Sequence, residues 1–450
     1  MTAVEPMRIA QFSDLHYGPR HLEEADRCFG AAIDSAIAAK VDVAVISGDA
    51  TDHALDLHSP SALRLLRQVK RLADHCPVLM LQGTWSHEPP GTLSVFSMLH
   101  GRHPVAVVDR IQQVALLPSS ISGGDLAWAA SEGHGFDALP AGARALFTCV
   151  PSINKAAVAS AVGAPAAGEA LGEQLGRLLL GYAPIHRLAR TLGLPTIGIS
   201  HGTVFGCETE HGVPMAGFDH EFTSGALFAA EAQAFMLGHI HRHQRWTRDG
   251  GQGRQCIAYP GSIGRFHHGE QDDKGFLLWE VGPDGARCHL VPTPARRTLD
   301  IFFEGRPDLQ QLQAAVSAQD LAGASVRVRW CVADEDRHQV DRGAIQRLLA
   351  DAADVKLEGR VVPVTRSRSP GIAQLASLAD KVRAWAAATD VRSEPLMDCL
   401  AQLATSAPED IVRAVMDDRA EASSAGNAAP DRSEPADSVS VCADALDARG

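Results

Sequence analysis

Long apolar runs are missing: no uninterrupted stretch approaches the roughly 18 residues a membrane-spanning helix needs, so no membrane association is expected. Paired cysteines are missing as well. The nine cysteines stand singly, no C-x-x-C occurs and the number is odd, which argues against both a zinc ribbon and a disulfide framework. Thiols in apolar runs, such as Cys149 and Cys331, read as small buried hydrophobes, and so many free thiols fit a reducing cytoplasm. Met1 to Pro6 lacks a basic region followed by an apolar core, so it reads as a lead into a first strand, not a signal peptide. Excess positive charge is also lacking. A formal net charge of −13 argues against a whole-surface polyanion binder, although local basic patches are compatible with it. Part of that charge lies in Glu421–Gly450, where six acidic residues face two basic ones. No internal repeat is evident.

What is present is an ordinary globular composition, 45% hydrophobic and 21% charged, in 450 residues that suggest two or three domains. Apolar period switches along the first hundred residues. Strand patterns at Met7–Phe12, Val41–Ile46 and Val78–Leu81 alternate with helical patterns at Leu22–Lys40 and Ser59–Asp74, an order that implies parallel strands. Short strand-like pieces fill Val105–Val150, and an Ala-, Gly- and Leu-rich helical stretch, Asn154–Gly193, precedes a strand at Thr196–Ser200. Further strands are expected near Ala234–Leu237, Gln255–Tyr259, Phe276–Val281 and Cys288–Val291. The expected fold class is therefore α/β, a two-layered β-sandwich flanked by helices. Beyond Pro292-Thr293-Pro294, a plausible hinge, strands at Thr298–Phe303, Ser325–Cys331 and Lys356–Val364 with two helical patterns form a small α/β cap unit. Helical segments then run from Ile372 to Met416, and an acidic tail follows whose composition predicts disorder.

Four of these strands terminate in Asp or His: Asp14-Leu15-His16, Gly48-Asp49-Ala50-Thr51-Asp52, Ser200-His201 and Gly238-His239-Ile240-His241. Parallel strands bring their carboxyl ends to one edge, so these side chains should share a crevice. Carboxylate oxygens and neutral imidazoles are the ligand set of divalent first-row metals. A lone His at a strand end is usually a surface or hydrogen-bonded residue; the fourfold recurrence at one structural position favours a metal centre. Asp14 and His16 share a strand face, as do His239 and His241.

D-x-H, then G-D-x-x-D, a lone His and G-H-x-H resemble the calcineurin-like metallophosphoesterase superfamily. Tyr259-Pro260-Gly261-Ser262, Glu270 and Lys274-Gly275-Phe276 are similar to the SbcD-type subunits of DNA repair exonucleases. The resemblance spans roughly residues 7–292 and implies a catalytic domain over 1–292; residue pattern and composition add a cap over 298–370, a C-terminal helical segment over 371–419 and a tail over 420–450. It implies that Asp14, His16, Asp49 and His241 hold one ion, that Asp49, His201 and His239 hold a second, and that both are divalent, with manganese expected. Asp52 is expected behind the ligands. The implied activity is a cytoplasmic phosphodiesterase, a DNA exonuclease in which a water activated between the ions attacks phosphorus. Implied partners are DNA, a coiled-coil SMC-like ATPase docking on the C-terminal helices, and a second copy of the chain.

One motif departs. Where the superfamily has G-N-H-D, this chain has Gly83-Thr84-Trp85-Ser86-His87-Glu88. Aligning Ser86-His87-Glu88 with N-H-D makes Ser86 a replacement ligand, His87 the leaving-group acid and Glu88 a supporting carboxylate. The competing alignment puts Thr84 and Trp85 there and removes the acid. Arg242 and Arg245 beside the second His pair, and Arg265 and His267 in a later loop, are candidates for nucleic-acid phosphates, with a solvated strand edge as the plain alternative. Arg360, Arg366 and Arg368 would extend such a track. Two alternatives stay open: a phosphodiesterase of small phosphoesters or cyclic nucleotides, and a catalytically weakened DNA-binding scaffold subunit.

Overall fold

The computed structural model describes residues 5–119, 126–153, 164–209, 221–251, 253–319, 321–362 and 371–425. Arg366, Arg368 and the tail from 426 lie outside them. The chain forms two compact units, Met1–Val362 and Pro363–Gly450.

Strands β1 (Met7–Phe12), β2 (Val43–Ile46) and β3 (Val78–Leu81) are separated by helices Leu22–Ala38 and Pro60–Ala73 and pair in parallel, Ile9 opposite Val43 and Val45 opposite Leu79. The second helix begins where Ser59 accepts the Ala62 N–H and Pro60 needs no donor partner. β4 (Val105–Val108) extends this layer on one side. On the other side β1 pairs antiparallel with a strand formed late in the chain, Met7 opposite Val281 and Gln11 opposite Leu277.

The other half begins with β5 (Gln112–Pro118), β6 (Leu126–Ala130), β7 (Ala145–Val150) and β8 (Thr196–His201). A short parallel pair, β9 (Thr203–Val204) and β10 (Glu221–Phe222), precedes β11 (Ala234–Gly238), β12 (Gln244–Gly250) and β13 (Gly253–Tyr259). The closing hairpin is β14 (Gly275–Gly282) and β15 (Gly285–Pro292). Pairing runs β4-β3-β2-β1-β14-β15-β13-β11-β8-β7-β5-β6, with β12 on β13. The β15–β13 step rests on one residue pair, Arg254 with Gly285.

Side-chain alternation shows how this sheet doubles over into two layers. Ile9, Val43, Val45, Leu79 and Leu81 from one half share a buried cluster with Ile197, Ile199, Ala234, Met236, Cys256 and Ala258 from the other. The intervening residues face outward under helices. Ala10, Phe12, Ala44, Ile46 and Met80 pack with the first two helices, while Phe235, Leu237, Ile257 and Tyr259 pack against the helix Ala164–Thr191 and its neighbour Ser224–Ala229. The α/β sandwich with flanking helices read from the sequence is the architecture observed.

Two buried glutamines tie the layers together. Gln11 donates to Leu237 O (2.8 Å) and Ser47 Oγ (3.1 Å) and accepts the Trp279 indole N–H (2.9 Å). Gln233 accepts the Thr196 N–H and donates to Gly282 O. Satisfied polar groups of this kind specify register, because an offset would strand them in a dry interior.

The small sheet is β16 (Thr298–Glu304), β17 (Ser325–Ala333) and β18 (Asp354–Val362), all parallel, with its own core of Val326, Val328, Trp330 and Leu312 under helices Leu309–Ser317 and Arg342–Leu348. The second unit carries helices Leu378–Thr389, Ser393–Thr405 and Pro408–Ala425. Among the described residues no helix is long and apolar enough to cross a membrane.

His186, on the helix Ala164–Thr191, is fully buried between the Thr148 hydroxyl (2.7 Å from Nε2) and Ala230 O (2.6 Å from Nδ1). Burial lowers its pKa to about 4. The unfolded chain therefore takes up a proton that the native state refuses as pH falls from the ordinary imidazole value of about 6.5 towards 4. His186 contributes no pH-linked loss above that window and about 3 kcal/mol of loss across it. Urea titrations of metal-stripped protein at stepped pH should show this slope, and His186→Gln should flatten it by that amount.

Candidate metal centre

The carboxyl end of β8 and the turns after β1, β2 and β11 bring His201 together with Asp14, His16, Asp49, His239 and His241. Donor atoms of Asp14, His16 and His241 lie within 4.8 Å of one another, as do those of Asp49, His201 and His239. The two groups touch: the His239 N–H donates to Asp14 Oδ2 (3.1 Å), and the His16 N–H to Asp49 O (3.0 Å). Asp14, His16, Asp49 and His239 all have positive φ (50°, 46°, 51° and 99°), a conformation uncommon outside glycine. Strain of that kind persists only where surrounding contacts overdetermine it, and it gathers at functional sites. Gly48 (φ 102°) supplies the same conformation freely, and a Cβ there would strike the His201 ring. Gly238 is required for space: a Cβ would collide with Ser47 O and Ser13 Oγ.

Two imidazoles have one nitrogen anchored and present the other to the cluster, and a third, His16, faces one of them. His201 Nδ1 donates to Ser47 O (2.8 Å), leaving Nε2 3.3 Å from Asp49 Oδ2. His241 Nδ1 faces Glu270 Oε1 (3.3 Å), leaving Nε2 3.8 Å from Asp14 Oδ1. His16 Nε2 lies 3.0 Å from His241 Nε2 and 4.0 Å from Asp14 Oδ1. Two ring nitrogens aimed at each other beside a buried carboxylate call for a shared cation, proton or metal. With the opposite nitrogens of His201 and His241 fixed by carbonyl and carboxylate, this donor set fits divalent ions of the first transition row.

The electrostatics follow from burial. Desolvation, aided by the neighbouring His241 charge, lowers His16 to about 4, so its ring is neutral at ordinary pH. Burial alone would raise Asp49, but the His201 charge and hydrogen bonds from His201 and His87 outweigh it and hold the carboxyl well below its usual range. Burial likewise opposes protonation of His201, yet Asp49 wins and lifts it to about 10. That proton marks where positive charge is wanted.

The departing motif resolves into a turn. His87 N and Glu88 N both donate to Thr84 O (2.9 and 2.8 Å), folding the inserted residues outward. Ser86 sits exposed at the apex, whereas Thr84 donates from its N–H to Asp49 Oδ1 (2.6 Å) and from its hydroxyl to Asp49 Oδ2 (3.0 Å), with His201 Nε2 at 3.3 Å. The hydroxyl at the cluster thus belongs to Thr84 and not to the expected Ser86, because the turn closes two residues earlier than the alignment assumes. His87 nonetheless reaches back: its Nδ1 is 2.8 Å from Asp49 Oδ2, which raises its proton affinity against the cost of burial. The Trp85 indole N–H donates to Ser152 O (2.9 Å), a loop tether. Glu88, fully buried, accepts the N–H groups of Ala50 (2.6 Å), Thr51 (3.2 Å) and Gly83 (2.5 Å), and burial with the Asp49 charge lifts its pKa to about 7. Asp52 Oδ1 stands 3.7 Å from His16 Nδ1, a buried nitrogen with no hydrogen bond.

The basic candidates are mostly occupied. Arg242 pairs with Glu208 (2.6 Å) and Asp272 (3.4 Å), Arg245 donates to Cys288 O (3.2 Å), and Arg265 donates to Arg296 O, Gln271 O and Asp272 O. His267 is exposed and stacks on His241, ring centroids 6.1 Å apart. Residues that sequence reasoning left without a role are Ser13, which donates to Asp14 Oδ2 (2.6 Å), Ser47, Gln11 and Lys274.

No family model matches the chain, and no curated protein does. Among solved structures it is similar to a dimetal phosphatase from Danio rerio (LOC 393393), at 11% identity over 64% of this chain and 99% of that one, with a TM-score of 0.35.

Thr84→Val should weaken uptake of divalent ions about 10-fold, the usual effect of removing a group that orients a ligand. Ser86→Ala should leave uptake within about 2-fold of wild type; calorimetric titration of stripped protein measures both.

Proposed function

We propose that this chain is a two-metal phosphoesterase of the calcineurin-like type, acting on phosphodiesters. The observation that carries the reading is the contact between two separate carboxylate–imidazole groups, Asp14/His16/His241 and Asp49/His201/His239, at the carboxyl ends of β1, β2, β8 and β11. Two divalent ions held there would supply positive charge to a phosphoryl group and activate an attacking water.

The chain's own residues contribute orientation and a proton. Asp49 lies between the groups, held by Thr84 and His87. His201 and His241 have Nδ1 held by Ser47 O and Glu270, so their Nε2 atoms point inward. His87, two-thirds shielded from solvent, has its Nδ1 on Asp49 and is the proton donor for a departing alkoxide. Cations at Asp49 would weaken the pull of that carboxylate on His87 and bring the ring nearer the ordinary imidazole range, suited to acid catalysis near neutrality.

The substrate proposed first is a DNA end, with exonucleolytic cleavage supported by manganese; this rests on the likeness of the Tyr259–Phe276 region to repair nucleases. A second reading, a small phosphodiester, is favoured by the engagement of Arg242 and Arg265 with partners inside the chain, which leaves them less charge to offer a polymer.

Purified protein with manganese should hydrolyse bis-p-nitrophenyl phosphate and lose that activity to EDTA. Asp49→Asn should fall to background on every substrate. His87→Ala should lose about 10²–10⁴-fold in turnover while keeping its metal; wild-type turnover in that variant would remove its acid role. Linear DNA left intact while small diesters are consumed would leave the second reading standing.

A further inference from the structure

We infer that Glu270 is a positioning residue for His241 and that the small β16–β18 sheet holds it in place, so the sheet tunes the centre from outside it. Glu270 and Lys274 are both fully buried and paired, Lys274 Nζ to Glu270 Oε2 at 2.8 Å. A buried ion pair contributes little net stability compared with apolar packing, so its retention in a dry site points to a task. The remaining contacts identify the task. Glu270 Oε1 faces His241 Nδ1 at 3.3 Å, Ser262 Oγ donates to Oε2 at 3.2 Å, and Lys274 Nζ also donates to His241 O at 2.7 Å. One pair thus grips His241 by ring and by backbone. A carboxylate only accepts, so the Nδ1 facing it must carry the proton, and Nε2 is turned towards Asp14 and His16.

The loop that carries Glu270 is tied to the small sheet at several points. The Thr298 hydroxyl, first residue of β16, donates to Glu270 O at 2.6 Å. His268 Nδ1 is 3.2 Å from Ser325 Oγ on β17, and Nε2 is 3.5 Å from Asp354 on β18. Arg265 Nη1 donates to Arg296 O and Arg296 Nε returns to Arg265 O, both at 2.9 Å, while Glu24 Oε1 accepts the N–H of Arg265 and of Arg296. The segment entering β16 and the loop bearing Glu270 are therefore one clamped unit. Whatever moves the small sheet pulls on the Glu270 backbone, and through two hydrogen bonds on His241.

The ion-binding arm of the test rests on the two-ion reading; the spectroscopic arm does not. The full chain is stripped of metal and compared with Glu270→Gln, Thr298→Val and the double change Glu270→Gln with Lys274→Met, which removes the stranded ammonium should the single variant fail to fold. Proton–nitrogen NMR of the metal-free protein should show a hydrogen-bonded Nδ1 proton on His241, assigned by its loss in His241→Gln. It should be lost or shifted in both Glu270 variants, and shifted less in Thr298→Val. Titration with Mn²⁺ should show one of two binding events weakened about 10–100-fold by the Glu270 changes, and by a smaller factor in Thr298→Val, with the other event unchanged. An unaltered His241 proton signal and wild-type Mn²⁺ affinities in the folded Glu270 variants overturn the inference. A wild-type chain that takes up no Mn²⁺ overturns the two-ion reading, and the proton signal still decides the role of Glu270.

Discussion

Two carboxylates, Asp14 and Asp49, are buried at the ends of adjacent strands with imidazoles for company, and the rest of the architecture answers to that fact. A carboxylate taken out of water is costly unless positive charge or several donors compensate it. Asp49 draws on His201, His87, the Thr84 N–H and the Thr84 hydroxyl; Asp14 draws on the Ser13 hydroxyl and the His239 N–H. None of those partners carries a permanent charge. Neutral rings such as His16 cannot balance the site, and protonated ones such as His201 do so only by occupying the nitrogen that faces Asp49. The arrangement is one that divalent cations complete and that protons complete less well, since a proton serves one pair of atoms and a metal ion serves a whole ligand set.

The sandwich makes such a site affordable in conformational terms. Four residues with positive φ would destabilise isolated loops, but each here ends a strand whose both faces are packed. Gln11 lies directly behind the turns, linking β1 to the last carbonyl before Gly238 and to Ser47, whose own carbonyl orients His201. Glu88 gathers three backbone N–H groups from the turns after β2 and β3. Rigidity reaches the donor atoms through backbone hydrogen bonds, not through side-chain packing alone, which is how donor positions can be held to fractions of an ångström.

Much of this was legible in the residues. Apolar runs ending in Asp or His announced both the strands and their shared edge, whereas the division of the six side chains into two ligand sets came from the resemblance to calcineurin-like metallophosphoesterases. Local turn closure was not legible. Whether Thr84 or Ser86 meets Asp49 depends on two backbone hydrogen bonds, from His87 N–H and Glu88 N–H to Thr84 O, and spacing alone does not reveal them. Charge pairing was hidden for a different reason. Arg242 reads as a basic patch with His243 and Arg245, yet its partners are Glu208 and Asp272, each about 30 residues away, and only the fold brings them in. Glu270 and Lys274 were visible as residues but not as a buried pair, because i, i+4 spacing in a loop carries none of the meaning it has on a helix.

On the phosphoesterase reading proposed above, those arginine pairings bear on what brings a substrate to the site. Near the cluster, Arg242 is balanced by Glu208 and Asp272, Lys274 by Glu270, and Arg265 is spread over backbone carbonyls. Asp14, Asp49 and Asp52 remain close by, in a chain of formal charge −13. A phosphate approaching the bare protein therefore meets carboxylates with few cations left to offset them. On that reading attraction would come from ions held by the six ligand candidates, so substrate affinity and metal occupancy would be coupled. By linkage, ion and substrate strengthen each other's binding by the same factor, so a loosened grip on an ion, including one from a displaced Glu270 loop, weakens substrate binding wherever the ion is not saturating. On this view the small sheet needs no contact with substrate to influence it; holding the Glu270 backbone is enough.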